Sequence, residues 1–106
     1  MFSFFSKNRV NSVNVNDLGE VLEKINLIDI REPYEYKSGH LSNAKNIPMS
    51  KIIDEAEKYL DKSKEYHIIC QSGGRSTRTC KELKAKGFNV VNVSGGTNGY
   101  RGALKK

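Results

Sequence analysis

Short apolar runs alternate with segments of helical periodicity along the whole 106-residue chain. This alternation predicts strands separated by helices, and such strands pair in parallel through right-handed crossovers. We therefore predict a single α/β domain whose sheet has about five mainly parallel strands, with helices on both faces. The predicted strands are residues 13–15, 27–30, 44–47, 66–70 and 89–93.

Capping signals mark the predicted helices in the first half of the chain. Asp17 and Glu20 have the spacing of a capping box, before a helix whose buried stripe includes Val21. Pro33 suits the first position of a short helix, which Gly39 closes in the left-handed conformation that glycine tolerates.

The second half contains three further predicted helices. Ser50 suits the N-cap of a helix whose buried face includes Ile53. A longer helix covers residues 75–86 and ends at Gly87. A last short helical stretch extends to Leu104.

The first nine residues differ in character from the rest. Residues 1–9 contain Phe2, Phe4 and Phe5 and are interpreted as an N-terminal extension, and residues 10–106 as the domain. The apolar start is too short for a signal-peptide core, and no stretch approaches the ~20 apolar residues that span a bilayer. Two cysteines do not make a secreted disulfide framework. These features predict a cytoplasmic protein without membrane insertion.

The chain is basic, with 18 Lys+Arg against 12 Asp+Glu and a formal net charge of +6. Its cations are dispersed among acidic residues, without interleaved aromatic residues or a nucleic-acid-binding motif. We therefore predict no nucleic-acid partner and interpret the charge as a field that attracts small anions.

One loop carries the residues for chemistry, Cys70-Gln71-Ser72-Gly73-Gly74-Arg75-Ser76, between a predicted strand and helix. Ligands of parallel α/β sheets bind outside the carboxyl ends of the strands, where Cys70 lies. Two glycines let the backbone curl, so that consecutive amide N–H groups converge on the sulfur as an anion nest. The helix N-terminus and Arg75 add positive charge. We predict a Cys70 pKa below the ~8.5 of a free thiol, amides that face the sulfur, and a sulfur open to solvent.

Four further fragments extend this pattern over most of the chain. They are LIDIREPYEY at 27–36, GHL at 39–41, AKNIP at 44–48 and GG at 95–96. Together with the loop, and in this order and spacing, they resemble single-domain members of the rhodanese family of sulfurtransferases.

The resemblance implies a rhodanese-like fold and an enzyme of the thiosulfate sulfurtransferase type. Cys70 would take a sulfane sulfur from a small anionic donor such as thiosulfate, become a persulfide, and pass the sulfur to a thiophilic acceptor. The acceptor would be cyanide in vitro and a thiol or a protein in vivo. Backbone amides of residues 71–75 would spread the charge of the persulfide, so no metal or cofactor is expected.

The residues expected to bind substrate are Gln71, Ser72, Gly73, Gly74, Arg75 and Ser76. Arg75 and the hydroxyls of Ser72 and Ser76 are candidates either to hold the loop or to contact an anionic donor, and both roles stay open.

Three positions depart from the family pattern. Asn43 stands where glycine is usual, and asparagine tolerates a positive φ. Tyr100 replaces a frequent tryptophan and keeps an aromatic ring there. Gln71 is uncharged where some thiosulfate-preferring relatives carry arginine, which leaves the identity of the donor open.

Two other functions compete with sulfur transfer. Phosphatases and arsenate reductases that use cysteine have five residues between Cys and Arg, whereas four separate Cys70 from Arg75. The smaller ring suits one sulfur atom better than a phosphate. A non-catalytic binding module would commonly lack the cysteine, but a persulfide relay to a partner protein remains an alternative, and the oligomeric state is open.

Other candidate residues are interpreted as structural. Cys80 lies on the inward stripe of its helix and suits the core. His67 is three strand positions from Cys70, about 10 Å away and on the opposite face, so it is a poor base. The cysteines and histidines lack paired-ligand spacing, which predicts no metal site.

Two charged residues near the end of the second predicted strand have a similar interpretation. Asp29 and Arg31 suit a structural ion pair, with Glu35 as a further candidate partner, although either could support the loop by a hydrogen bond. His40, in a loop, is interpreted as a structural histidine, and a place near the site stays open.

Overall fold

The computed structural model describes residues 9–106 and contains one five-stranded sheet. The strands are β1 (Asn11–Asn14), β2 (Leu27–Asp29), β3 (Lys45–Asn46), β4 (Glu65–Ile69) and β5 (Asn89–Ser94). They lie in the order β1-β5-β4-β2-β3, and every neighbouring pair is parallel. The predicted α/β fold class is confirmed, and β4 is the central strand. The boundary between residues 9 and 10 stays a prediction, and Phe2, Phe4 and Phe5 lie outside the described residues.

Five α-helices and two 3₁₀ segments accompany these strands, and all except the last helix lie between two strands. The α-helices are α1 (Pro33–Ser38), α2 (Met49–Asp54), α3 (Ala56–Tyr59), α4 (Gly74–Ala85) and α5 (Gly96–Gly99). The 3₁₀ segments, Val15–Asp17 and Gly19–Glu23, lie between β1 and β2. None of the helices within residues 9–106 is long and apolar enough to cross a membrane.

The central strands are buried on both faces of the sheet, because consecutive side chains of a strand point to opposite sides. On one face Ile28 and Ile68 belong to a core cluster that includes residues of α2, α3 and α4. On the other face Leu27 and Ile69 belong to a cluster that includes residues of both 3₁₀ segments. The sheet is therefore the middle layer of the domain. The loops that follow the strands lie at the carboxyl ends of the strands.

The predicted helix after β1 is wrong in type. The capping box of Asp17 and Glu20 is not formed; Asn14 caps the first 3₁₀ segment instead, through a bond from the Asn16 amide. Val21, predicted to be buried, is exposed. The 3.0-residue period of a 3₁₀ segment moves its side chains off the stripe that a 3.6-residue period predicts.

The helix predicted to follow Ser50 is divided into two short helices, α2 and α3. It begins at Met49 after Pro48, so Ser50 is not its N-cap, and the backbone breaks at Glu55 (φ −127°, ψ 41°). Ile52 is therefore the fully buried side chain, and Ile53 is only partly buried.

The ends of two other predicted helices differ as well. Gly39 follows α1 with φ 153° and ψ 132°, which is not the left-handed helical conformation. The last helix ends at Gly99, and Leu104 lies in coil. Lys105 exchanges two backbone hydrogen bonds with His40, which draws this segment out of helical geometry.

Candidate active site

Cys70 directly follows the central strand β4, and the loop after it turns into the first residue of α4. Gly73 makes this turn with φ 114° and ψ −17°, a conformation that L-residues with a side chain rarely adopt. Gly74 does not need a positive φ. The predicted curl of the loop is therefore confirmed, and it depends on Gly73.

The loop directs hydrogen-bond donors at the sulfur of Cys70. The amide N–H of Gly73 donates to Sγ at 3.1 Å, and the amide of Ser76 donates at 3.3 Å. The thiol of Cys70 in turn donates to Ser76 Oγ at 3.4 Å. The prediction that amide hydrogens face the sulfur is confirmed for Gly73 and for Ser76, which lies one residue beyond the predicted range of 71–75.

Two opposing influences act on the ionisation of Cys70. Burial, the largest single influence, raises the pKa of the thiol. Hydrogen bonds from the Ser76 side chain and from the amides of Ser76, Gly73 and Ser72 together outweigh it, so the pKa of Cys70 is lowered from its ordinary value. The predicted direction is confirmed, with hydrogen bonds to the charged form as its physical cause.

The prediction of an open sulfur is wrong, because Cys70 is only 1% exposed. A short side chain at the end of a central strand, beneath a loop that folds back onto it, has little surface left for solvent. The described conformation therefore shields the thiol from solvent.

Ser76 is fully buried and makes three contacts through one hydroxyl group. Besides contacting Cys70 Sγ, its Oγ lies 2.5 Å from Asn92 Oδ1 and 3.1 Å from Gly73 O. A hydroxyl has a single proton to donate, so the thiol can donate to Oγ while Oγ donates to Asn92. When the sulfur ionises, the hydroxyl proton can turn towards it instead.

The segment after β5 forms the back wall of the loop. The Thr97 amide donates to Cys70 O at 2.9 Å, and the Asn98 amide donates to Gln71 O at 2.9 Å. Gly96 has φ 61°, and a Cβ built there would lie 2.5 Å from Gln71 O and 2.6 Å from Cys70 O. Only glycine allows this approach of two backbones. In the sequence, the GG motif at 95–96 indicated a position that requires glycine. Its contact with the loop could be recognised only from the folded structure.

Arg31, two residues after the end of the neighbouring strand β2, supports the loop. It pairs with Asp29 at 2.8 Å, and the two side chains are 2% and 0% exposed. Its Nη1 donates to Gln71 Oε1 at 2.9 Å, and its Nη2 to Gly39 O at 2.8 Å. The predicted ion pair between Asp29 and Arg31 is thus present, and Arg31 also supports the loop by a hydrogen bond, which the sequence had left open. Glu35 is not the salt-bridge partner of Arg31.

Glu35 pairs instead with Arg75. Arg75 Nη1 and Nη2 donate to the two carboxylate oxygens at 2.8 and 2.9 Å, with side chains that are 38% (Arg75) and 19% (Glu35) exposed. The hydrogen bond from Arg75 is the main cause that lowers the pKa of Glu35 to about 2. Sequence reasoning missed this pair, because Arg75 and Glu35 are 40 positions apart in the chain.

The remaining residues singled out in the sequence form no hydrogen bond with the Cys70 sulfur within the described part of the chain. Cys80 lies on α4 and is fully buried in the hydrophobic core, as predicted, and burial raises the pKa of its thiol to about 12. His67 lies within β4, where burial lowers its pKa. His40 stacks on Tyr36 with 3.7 Å between ring centroids and bonds to the Tyr36 carbonyl. Asn43 has φ 72°, which confirms that this turn uses the asparagine for a positive φ.

The predicted site residues are brought together in one short arc around Cys70. Gly73 and Ser76 contact the sulfur, Gln71 bonds to Arg31, and Arg75 bonds to Glu35. Ser72 and Gly74 are exposed on the outer side of the arc. The amides at the start of α4 have no partners within the helix, as at every helix N-terminus, so this arc can stabilise additional negative charge.

Comparison with known proteins identifies the relatives of this arrangement. The model of the rhodanese-like domain matches residues 14–103. The chain is 44% identical over 86 residues to YtwF of Bacillus subtilis, covering 81% of this chain and 82% of that protein. A sulfurtransferase of Allochromatium vinosum is 33% identical over 91 residues, covering 82% of this chain and 84% of its own. The crystal structure of SSP1007 from Staphylococcus saprophyticus superposes with a TM-score of 0.81 at 33% identity, covering 92% of this chain and 100% of that one.

Proposed function

The chain belongs to the rhodanese-like domain family, and from this premise we propose that it is a sulfurtransferase whose Cys70 carries the transferred sulfur as a persulfide. Relatives that are named sulfurtransferases support a role in sulfur transfer. The observation that supports a persulfide on Cys70 is the set of donors around Sγ, in which the amides of Gly73 and Ser76 point at a single sulfur atom.

The reaction has two covalent steps. The Cys70 thiolate attacks the outer sulfur of a donor such as thiosulfate; a new S–S bond forms, the S–S bond of the donor breaks, and sulfite leaves with the electron pair. An acceptor nucleophile then attacks the outer sulfur of the persulfide and regenerates the thiolate. The lowered pKa of Cys70 favours both steps, because the thiolate is the attacking and the leaving group.

The loop supplies the electrostatic part of catalysis. A persulfide on Cys70 places its outer sulfur beyond Sγ, towards the amides of the first turn of α4. Prearranged N–H groups stabilise such a charge without reorganisation during the reaction. Because Cys70 is closed to solvent in the described conformation, the proposal requires residues 71–74 to shift when the donor arrives.

The proposal extends to partners and compartment. The acceptor is cyanide in vitro and a thiol or a protein in vivo, with no nucleic acid or membrane involved. A reducing cytoplasm suits an enzyme with two free thiols.

Intact-protein mass spectrometry after incubation with thiosulfate tests the proposal. We expect the mass of one sulfur atom to be added, and cyanide to remove it with release of thiocyanate. Cys70→Ser should abolish the gain, whereas Cys80→Ser should retain it.

Two outcomes would contradict the proposal. A wild-type protein that takes up no sulfur from thiosulfate or from a low-molecular-weight persulfide would show that the closed thiol is not a sulfur acceptor. Hydrolysis of an aryl phosphate at comparable efficiency would favour a phosphatase instead.

A further inference from the structure

The charges closest to the loop cancel one another, although the whole chain carries a net charge of +6. Arg31 hydrogen-bonds to the loop and Arg75 belongs to it, and each guanidinium group is paired with its own carboxylate, from Asp29 and Glu35. The long-range field of the protein attracts anions, but an anion that reaches the loop meets two ion pairs rather than two free cations.

The guanidinium group of Arg31 is not accessible to a substrate in the described conformation. Arg31 is 2% exposed. Its Nε and Nη2 donate to Asp29, Nη2 also donates to Gly39 O, and Nη1 donates to Gln71 Oε1. Its role is to hold the loop.

The second cation, Arg75, is the only charged side chain of the loop from Gln71 to Ser76. Its two terminal nitrogens bind the two oxygens of Glu35 side by side, the geometry in which arginine pairs most strongly with a carboxylate. A second hydrogen bond holds the carboxylate in place, because Glu35 Oε1 also accepts a hydrogen bond from the Glu32 amide in the capping box of α1. With a pKa of about 2, Glu35 is ionised at every pH at which a thiolate reacts.

We infer that Glu35 is a specificity-determining residue: it withdraws the charge of Arg75 from the donor, so the site disfavours multiply charged donors. The donor class that suits it is a persulfide of low charge, R–S–SH. This inference rests on the proposed function of Cys70. The thiolate attacks the outer sulfur, the bond between that sulfur and R–S breaks, R–S⁻ leaves with the electron pair, and the proton stays on the new persulfide.

The test compares two donors that differ in charge, thiosulfate as a dianion and methanethiosulfonate as a monoanion. The quantity measured is the ratio of their kcat/KM values, because a change in the pKa of Cys70 affects both donors and divides out. In Glu35→Gln the amide oxygen can still accept the Glu32 amide, but Arg75 keeps its positive charge. We expect kcat/KM for thiosulfate to rise about tenfold and that for methanethiosulfonate about threefold, mainly through KM and less so at high salt.

Three further variants show whether charge is the cause. Glu57→Gln makes the same change of net charge on α3. Glu57 lines a cavity with Lys86 and Phe88, which follow the C-terminal end of α4, and the loop precedes the N-terminal end of α4, about 18 Å away along the helix. This variant should leave the ratio of the two kcat/KM values unchanged. Glu35→Gln combined with Arg75→Gln should remove the gain. Glu35→Asp keeps the charge and should stay near the wild-type ratio.

The outcomes separate this inference from the proposed function. A wild-type protein that is loaded with sulfur, but whose donor ratio does not rise in Glu35→Gln, retains the proposed function and overturns the inference. An equal rise in Glu35→Asp also overturns it, because geometry rather than charge would then be responsible. If Glu35→Gln fails to fold, Arg75→Gln alone supplies the test: it leaves the Glu35 carboxylate without its cation, so the ratio of thiosulfate to methanethiosulfonate should fall below wild type, and an unchanged ratio overturns the inference. A wild-type protein that is loaded by neither donor overturns both proposals.

Discussion

Cys70 and Cys80 stand at 1% and 0% exposure, on the loop and on the helix that follows it, yet the pKa values of their thiols move in opposite directions. Burial raises the pKa of both. Around Cys80 the neighbours are core side chains such as Leu83, and the pKa reaches about 12. Around Cys70 the loop adds hydrogen-bond donors, and the pKa falls below its ordinary value. Donors aimed at the sulfur, rather than contact with solvent, therefore decide which thiol ionises.

The largest expected consequence is a difference in thiol reactivity. At pH 8 a thiol with a pKa of about 12 is ionised to about one part in ten thousand, whereas the lowered pKa of Cys70 leaves a far larger fraction of its thiol ionised. We expect Cys70 to react with a small thiol-specific reagent at least about a thousandfold faster than Cys80. Peptide mapping of the modified protein over time measures both rates.

The closed conformation of the loop could reduce this difference. If both cysteines react equally slowly in the folded protein and equally fast in denaturant, the protection of Cys70 outweighs its ionisation. The Cys70→Ser variant provides the matched rate for Cys80 alone.

The contrast between the two thiols was largely visible in the sequence. A cysteine after an apolar run, followed by two glycines and a helix, predicts a thiol that faces backbone amides, and a cysteine on a helical stripe with Leu83 predicts a core position. Both interpretations are local, because each depends on residues within one strand, loop or helix. The α/β fold class followed from the same kind of local pattern.

What the sequence did not predict depends on long-range geometry. The approach of Gly96 to the loop and the pairing of Glu35 with Arg75 join segments that no short pattern connects. The closure of the loop over Cys70 is likewise a property of the packed fold. The helix predicted after β1 is a case in which the local pattern misled: the apolar spacing suggested one α-helix, but Asn14 caps a first 3₁₀ segment and Gly19, with φ 43°, begins a second.

Gly96→Ala tests whether the back wall sets the positions of the donors around Cys70. The new methyl group would lie within 2.6 Å of two carbonyl oxygens of the loop, and φ is 61°, so the loop or α5 must move. We expect sulfur loading of Cys70 to slow about a hundredfold and the free energy of unfolding to fall by about 2 kcal/mol. Gly99→Ala is the matched control in the same helix, since its Cβ would meet only Val15 at 3.9 Å; equal losses in both variants would point to α5 as a whole rather than to the wall.

Ser76→Ala removes one donor from the sulfur and leaves the Ser76 amide in place. The thiolate fraction of Cys70 rises with pH and levels off above its pKa, which hydrogen bonds lower in the folded protein. Loss of the Ser76 hydroxyl removes one of these bonds to the charged form, so the midpoint of the titration should move upward. One hydrogen bond to a charged group corresponds to a shift of about one pKa unit. At a fixed pH below the midpoint, the rate of sulfur loading should fall about tenfold. Thiolate absorbance against pH, with Cys70→Ser as the blank, measures the midpoint. A midpoint that does not move would show that the amides of Gly73 and Ser76 hold the thiolate by themselves, and that the hydroxyl serves Asn92 instead.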